Sequence, residues 1–224
     1  MPVIVGLVDP SGMNQASDPR HLVLVAHPSP NSFCHAVAKT YATEVHALHQ
    51  QVRIHDLYAT GFDPVLHEPE RRPLERHDPR IAAELAALAE STVIVLVYPI
   101  WFGGPPAMLK GYVDRVLGAS GGYLRLREGG VKPQLHGRYL FSISTSGTPL
   151  EWLEEHGQCR ALRQGFDIYV ERSAGLRDAG HLNLDEIGPH MSVARSKRAL
   201  GEVAAAARQI CGTVAPAEPD TMPV

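Results

Sequence analysis

Cysteine is scarce in this chain: three in 224 residues, at positions 34, 159 and 211, an odd number with no CxxC pair. That excludes a disulfide framework and predicts a reducing, cytoplasmic setting. Charge imbalance is missing too. Twenty-one Lys and Arg stand against 24 Asp and Glu, a net of −3 that gives no electrostatic case for nucleic acid or an anionic membrane surface. No GxGxxG or GK[ST] stretch is present, which removes the common dinucleotide and phosphate-loop signatures. The opening MPVIVG has no basic leader and Asp9 ends its apolar patch, so it does not read as a secretory signal. The uncharged run Ser91–Leu109 holds Pro99, Gly103, Gly104, Pro105 and Pro106, which would break any spanning helix, so no direct membrane insertion is expected.

What is present is an alternation of short apolar runs with helical patterns, in a chain 44% hydrophobic. HLVLVAH (21–27) is an unbroken run of the kind that forms a strand covered on both faces. From about Ser32 to Gln50, Phe33, Val37, Tyr41, Val45 and Leu48 recur at helical spacing, with Asn31 or Ser32 as N-cap. QVRIHDL (51–57) reads as a second strand, 60–80 as a surface loop, and Asp78 or Pro79 as the start of a helix through Glu90. A third strand covers 92–98, followed by a helix from Pro105 or Pro106 to about Leu117. The glycine-rich 118–137 reads as an exposed connection or hairpin, and RYLFSIST (138–145) as a fourth strand. Residues 151–170 read as partly helical, 174–184 as containing a fifth strand, and 190–211 as a closing helix. This order predicts an α/β fold with one five-stranded parallel sheet between two helical layers. One domain over 21–212 is expected, with an N-terminal extension (1–20) and a C-terminal tail (213–224).

In such sheets ligands bind beyond the carboxyl ends of the strands, where strand order reverses. The ends of strands one, three and four read AHPSPNSF, YPIWFGGPP and STSGTP. Ser29, Asn31 and Ser32 precede a helix N-terminus, which favours a phosphate, and His27 stands beside them. Trp101 and Phe102 offer flat apolar surfaces next to glycines, and Ser144-Thr145-Ser146-Gly147 offers hydroxyls and amides. Taken singly these read as a capped helix, a core pair and a turn. Together they describe a phosphate-bearing, flat heteroaromatic ligand, and flavin fits.

HLVLVAHPSPNSF, GFDPVL (61–66), YPIWFGGPPAMLKGYVDRVL and SISTSG, in this order and spacing, resemble the flavodoxin-like NAD(P)H:quinone oxidoreductases. Relatives of that family include the flavoprotein ancillary subunits of bacterial potassium-efflux systems. The resemblance runs from about His21 to Gly147, and the loop after the third strand is its most specific part. It implies a flavodoxin-like, three-layer α/β/α fold and a homodimer with flavin near the subunit interface. His27, Ser32 and Phe33 would line the flavin phosphate and ribityl chain. Pro99, Ile100, Trp101 and Phe102 would border the isoalloxazine with Gly104 close by, and Ser144, Thr145, Ser146 and Gly147 would hold the other edge. Members that use FAD often carry asparagine where Cys34 stands, so FMN and FAD both stay open. Well-known members place a tyrosine and a histidine after the fourth strand. Here Trp152 occupies the first place and His156 the second, at shorter spacing, which makes His156 the candidate catalytic residue. The implied activity is two-electron transfer from NAD(P)H to a quinone or similar planar acceptor, in ping-pong order.

His46 and His49 are spaced i, i+3 without a third ligand in the sequence, so no metal site is expected. Two other functions compete: a substrate-free electron carrier, disfavoured by the modest net charge, and a regulatory flavoprotein subunit of a membrane potassium-efflux transporter.

Overall fold

The structure, a computed structural model, describes residues 19–67, 79–122 and 135–214. Residues 1–18, 68–78, 123–134 and 215–224, on which the expected N-terminal extension, part of the expected surface loop, most of the expected glycine-rich connection and most of the expected tail fall, lie outside the described residues. Five strands, β1 (Arg20–Val25), β2 (Gln51–Asp56), β3 (Val93–Pro99), β4 (Tyr139–Thr145) and β5 (Arg177–Leu184), form one sheet in the order β2-β1-β3-β4-β5. All neighbours are parallel, with Val25 opposite Val97 and Val97 opposite Ile143.

The unbroken apolar runs of β1 and β3 follow from burial on both faces. Leu22, Leu24, Ile94, Leu96, Tyr98 and Leu140 face one side. There they meet α2 (Pro79–Ala89), α3 (Ala107–Tyr112) and, from the helical run α4 (Leu150–Glu155), α5 (Gln158–Leu162) and α6 (Ile168–Ala174), the last two. Val23, Val25, Val93, Val95, Val97, Phe141 and Ile143 face the other, under α1 (Phe33–Ala47) and α7 (Val193–Thr213). Small residues Ala199 and Ala207 on α7 let it approach α1 closely, and Arg208 pairs with Glu44 across the two at 2.7 Å.

Three sequence expectations shift. The buried stripe of α1 is Cys34, Val37, Ala38, Tyr41 and Val45; Leu48 is the C-cap and exposed, because the helix stops at Ala47. The helix after β3 does not end at Leu117: α3 widens into π-type turns over Val113–Gly122, absorbing the first part of the expected glycine-rich connection. A second π-type stretch, Arg163–Asp167, joins α5 to α6. β1 begins at Arg20 and α7 ends at Thr213, one residue outside 21–212 at each end.

Candidate active site

Strand order reverses between β1 and β3, so the loops leaving these two strands diverge from adjacent points. Ladder-like bonds continue past the strand ends and hold the tips together. Ala26 donates to the Val97 carbonyl (3.0 Å), Leu57 to Val25 (3.0 Å) and Ile100 to Thr145 (2.8 Å). The tips of the first, third and fourth strands therefore share one rim.

On this rim the β1 loop turns into α1. Ser32 is the N-cap, with extended backbone (φ −70°, ψ 162°), and its side chain accepts from the His35 amide. The amides of Phe33 and Cys34 in the first turn have no intrahelical acceptor by helix geometry and face the loop. His27 Nδ1 accepts from the Ser29 amide at 3.1 Å, so a neutral His27 carries its hydrogen on Nε2. Burial lowers the His27 pKa, which keeps that neutral donor form. Its ring lies 5.8 Å from that of Trp101.

Residues 101–104 close a tight turn: Trp101 donates to the Gly104 carbonyl (2.9 Å) and Gly104 returns a bond to Trp101 (3.1 Å). Both central residues are left-handed, Phe102 at φ 49° and Gly103 at φ 78°, the signature of a type I′ turn. A glycine suits the second place. A Cβ at Gly103 would also lie 3.0 Å from Gln158 Oε1, while one at Gly104 would meet nothing within 4 Å. Phenylalanine at φ 49° is strained, and Phe102 is fully exposed besides, with Trp101 42% exposed. Nothing among the described residues repays either feature of Phe102, whereas a flat partner laid on the rim would cover both rings. Pro99 is buried, and Ile100 packs partly against the core.

The β4 tip differs from the sequence expectation. Ser144 is fully buried: its hydroxyl donates to Asn183 Oδ1 (2.8 Å) and lies 2.8 Å from His181 Nε2. His181 Nδ1 is 2.6 Å from Asp167 Oδ2, and Ser142 donates to Asp167 Oδ1 at 2.8 Å. Arg163 sits 3.6 Å from Asp167 and pairs with Glu171 (2.9 Å) and Asp178. The buried Tyr98 hydroxyl, with no hydrogen-bond partner among the described residues, belongs to a ring 6.3 Å from that of His181. Asp167, His181 and Ser144 have the composition of a nucleophile relay. A serine with no exposed surface cannot meet a substrate carbonyl, so the net acts as a brace beneath the rim. Thr145 likewise turns inward, its hydroxyl 3.5 Å from Cys34 Sγ, and burial pushes the Cys34 thiol up to about 11. Ser146 is tied by its amide to Leu184 and by its carbonyl to Ile187 (both 2.8 Å), and its hydroxyl accepts from Thr148 at 2.9 Å. Only Gly147 of the four is exposed.

His156 caps α4 and is exposed. It bonds to the Trp152 carbonyl (2.8 Å) and stacks on the Trp152 ring with centroids 4.0 Å apart. It engages Trp152 rather than the strand tips. Sequence reasoning missed His35, Asp56, Gln158 and the Asp167–His181 pair, whose partners lie far apart in the chain. Among the described residues no group of three His, Cys, Asp or Glu side chains has the geometry to hold a metal ion. No described helix is long and apolar enough to cross a membrane.

A family model described as flavodoxin-like fold matches residues 19–207. An uncharacterized NAD(P)H oxidoreductase of Haemophilus influenzae is 29% identical over 188 residues, covering 83% of this chain and 92% of that protein. The glutathione-regulated potassium-efflux system ancillary protein KefG of Salmonella gallinarum is 33% identical over 128 residues, 57% of this chain and 58% of that protein. Against several curated relatives the match spans only about half of their length. Among solved structures, an NAD(P)H:quinone oxidoreductase from Methanothermobacter marburgensis superposes with TM-score 0.74 at 20% identity, covering 87% of this chain and 96% of that one. An FMN-dependent NADH-azoreductase from Bacillus anthracis, in complex with FMN, gives 0.64 at 17% identity, with 86% and 99% covered. At such identities the superpositions establish a shared fold.

Proposed function

Because the chain belongs to the flavodoxin-like fold family, we propose that it is a flavin-dependent NAD(P)H oxidoreductase reducing a quinone or similar planar acceptor. The observation that carries this reading is the rim at the strand-order reversal, where a capped helix start faces an exposed Trp101 and a strained, exposed Phe102. In this reading the Phe33 and Cys34 amides, the Ser32 hydroxyl and neutral His27 hold the cofactor phosphate. Pro99 to Phe102, with Gly104, border its ring system, and the Gly147 peptide meets the opposite edge. The residues present fit such a group: amide donors stand at one end, apolar flat surface at the other, and the space beside Gly104 is open.

Bound flavin supplies the two-electron chemistry, accepting hydride from NAD(P)H and passing it on. The protein positions the reactants. Trp101 and Phe102 present one apolar surface to both planar substrates in turn, which makes the kinetics ping-pong. Ser144 and Thr145 fix the β4 tip rather than touching ligand, and His156 with Trp152 walls the far side of the loop. Exposed Trp101, Phe102 and Trp152 also suit burial against a second copy, so the working form is a cytoplasmic homodimer. The Haemophilus influenzae relative and the FMN-holding azoreductase neighbour support this reading.

The experiment is to purify the chain, record flavin absorbance, identify the released cofactor as FMN or FAD, and follow NAD(P)H oxidation with and without added quinone. Quinone-dependent turnover with parallel double-reciprocal lines is expected. A colourless preparation that takes up neither flavin would overturn the proposal. The KefG relative favours a second reading, a regulatory flavoprotein of a potassium-efflux transporter. Tight binding to a transporter fragment with negligible quinone turnover would select it.

A further inference from the structure

Two histidines flank the start of α1, and they are held differently. His27 is fixed as a neutral Nε2–H donor by the Ser29 amide. His35, in the first turn of α1, lies between a hydroxyl and a carboxylate: Nδ1 is 2.8 Å from Ser32 Oγ and Nε2 is 2.7 Å from Asp56 Oδ2. Asp56, at the end of β2, also accepts the amides of Tyr58 and Ala59 (3.0 and 3.1 Å) through its other oxygen. Burial alone would raise the Asp56 pKa, but the bonds from His35 and these amides outweigh it and hold the carboxyl below its ordinary value.

An ionised carboxylate only accepts, so His35 Nε2 carries a hydrogen. With the ring neutral, Nδ1 is then an acceptor, and the single hydroxyl hydrogen of Ser32 is committed to it. Ser32 Oγ meanwhile accepts from the His35 amide as N-cap, at 3.4 Å. In this state Ser32 has no hydrogen to give an anion arriving at the helix start.

We propose that His35, backed by Asp56, belongs to the phosphate subsite and takes up a proton when a phosphate group binds at Ser32. This rests on the reading above, that a phosphate-bearing flavin occupies the rim. The proton comes from solvent and attaches to His35 Nδ1, which then donates to Ser32 Oγ. The Ser32 hydroxyl hydrogen is released to a phosphate oxygen, and no covalent bond other than N–H changes. Asp56 keeps the resulting imidazolium paired. The charged or titratable groups facing His35 are Asp56 from β2 and His27 from the β1 loop. A charged His35 pushes the His27 pKa down, so His27 stays neutral and donates through Nε2. The consequence is selectivity: phosphorylated flavin gains from the added proton, riboflavin does not, and the gap widens as pH falls.

The test is titration calorimetry of the full chain with FMN and with riboflavin, in two buffers of different ionisation enthalpy. Working near about pH 8 keeps the FMN phosphate fully ionised, its second pKa being about 6. FMN should take up a proton, at most about one per site, and lose affinity by up to about tenfold per pH unit as pH rises, the limiting slope of single-proton linkage. Riboflavin should bind without uptake and with flat pH dependence. His35→Gln should abolish uptake, and His35→Arg, carrying a permanent charge, should restore FMN affinity while removing its pH dependence. Thermal melts of both variants check folding. FMN binding without proton uptake, or uptake that survives in His35→Gln, overturns the inference while leaving the flavin reading intact. Failure of FMN and riboflavin alike to bind overturns that reading, and the inference with it.

Discussion

Replacing Phe102 with asparagine should make the protein more stable and less active. In the left-handed region a residue with a Cβ costs about 1–2 kcal/mol, and asparagine tolerates the region better than a bulky aromatic. Phe102 is fully exposed, so the substitution forfeits no burial within the chain. The net gain is about 0.5–1 kcal/mol, since asparagine relieves only part of the strain. For a chain of this size that corresponds to a rise of roughly 1–4 °C in Tm. Ligand binding moves the other way. Covering a phenyl ring contributes about 1.5–3 kcal/mol, so losing it should weaken flavin or acceptor binding by roughly ten- to a hundredfold. Differential scanning fluorimetry of the apo protein and fluorescence titration with FMN read the two effects separately, and quinone KM gives a third measure. A lower apo Tm would refute the strain argument. A higher Tm with unchanged FMN affinity, quinone KM and oligomeric state would refute the claim that Phe102 is held in place for a partner.

Asp167 is fully buried and accepts from both Ser142 and His181, so Asp167→Ala should cost about 3–5 kcal/mol by leaving those groups unpaired. Asp114→Ala, which removes an exposed pair with Lys110, should cost at most about 0.5 kcal/mol; similar losses in urea unfolding would contradict the brace. Buried His21 sits between Tyr41 Oη and Gln50 Oε1, each at 2.9 Å, and burial lowers its pKa from the ordinary 6.5. A lowered histidine pKa means the unfolded chain binds the proton more readily. The stability it contributes is therefore present above about pH 6.5 and lost as pH falls below it, with a slope of up to about 1.4 kcal/mol per pH unit. Urea midpoints measured from pH 8 to pH 5 should fall in that window and fall less in His21→Gln; identical profiles would contradict it.

The sequence was most legible where one physical signal dominated. Apolar runs located β1, β3 and β4 because strands buried on both faces need no alternation, and Ser32 was readable as a cap because capping is local. The strand tips were legible for the same reason. What stayed hidden is long-range pairing or backbone geometry. Asp167 and His181 lie 14 residues apart and meet only because the helical run after β4 crosses over β5. His35 finds Asp56 across the β1–β2 edge, 21 residues on. Ser144 looked like a ligand donor, yet strand alternation turns it, with Ser142, to the same buried face as Leu140. The left-handed turn at Phe102 has no signal beyond the glycine that follows it, because phenylalanine is not a residue that advertises φ above zero.

β2 is one of the two edge strands, paired on one side only and with half its residues exposed, yet it carries Asp56 at its tip. Such margins breathe most readily in a parallel sheet. Each opening event would carry the carboxylate away from the imidazole beside the helix start, so fraying at this border and occupancy of the rim become two readings of one equilibrium. If FMN occupies the rim as proposed, amide exchange along Gln51–Asp56 should therefore slow when it is added.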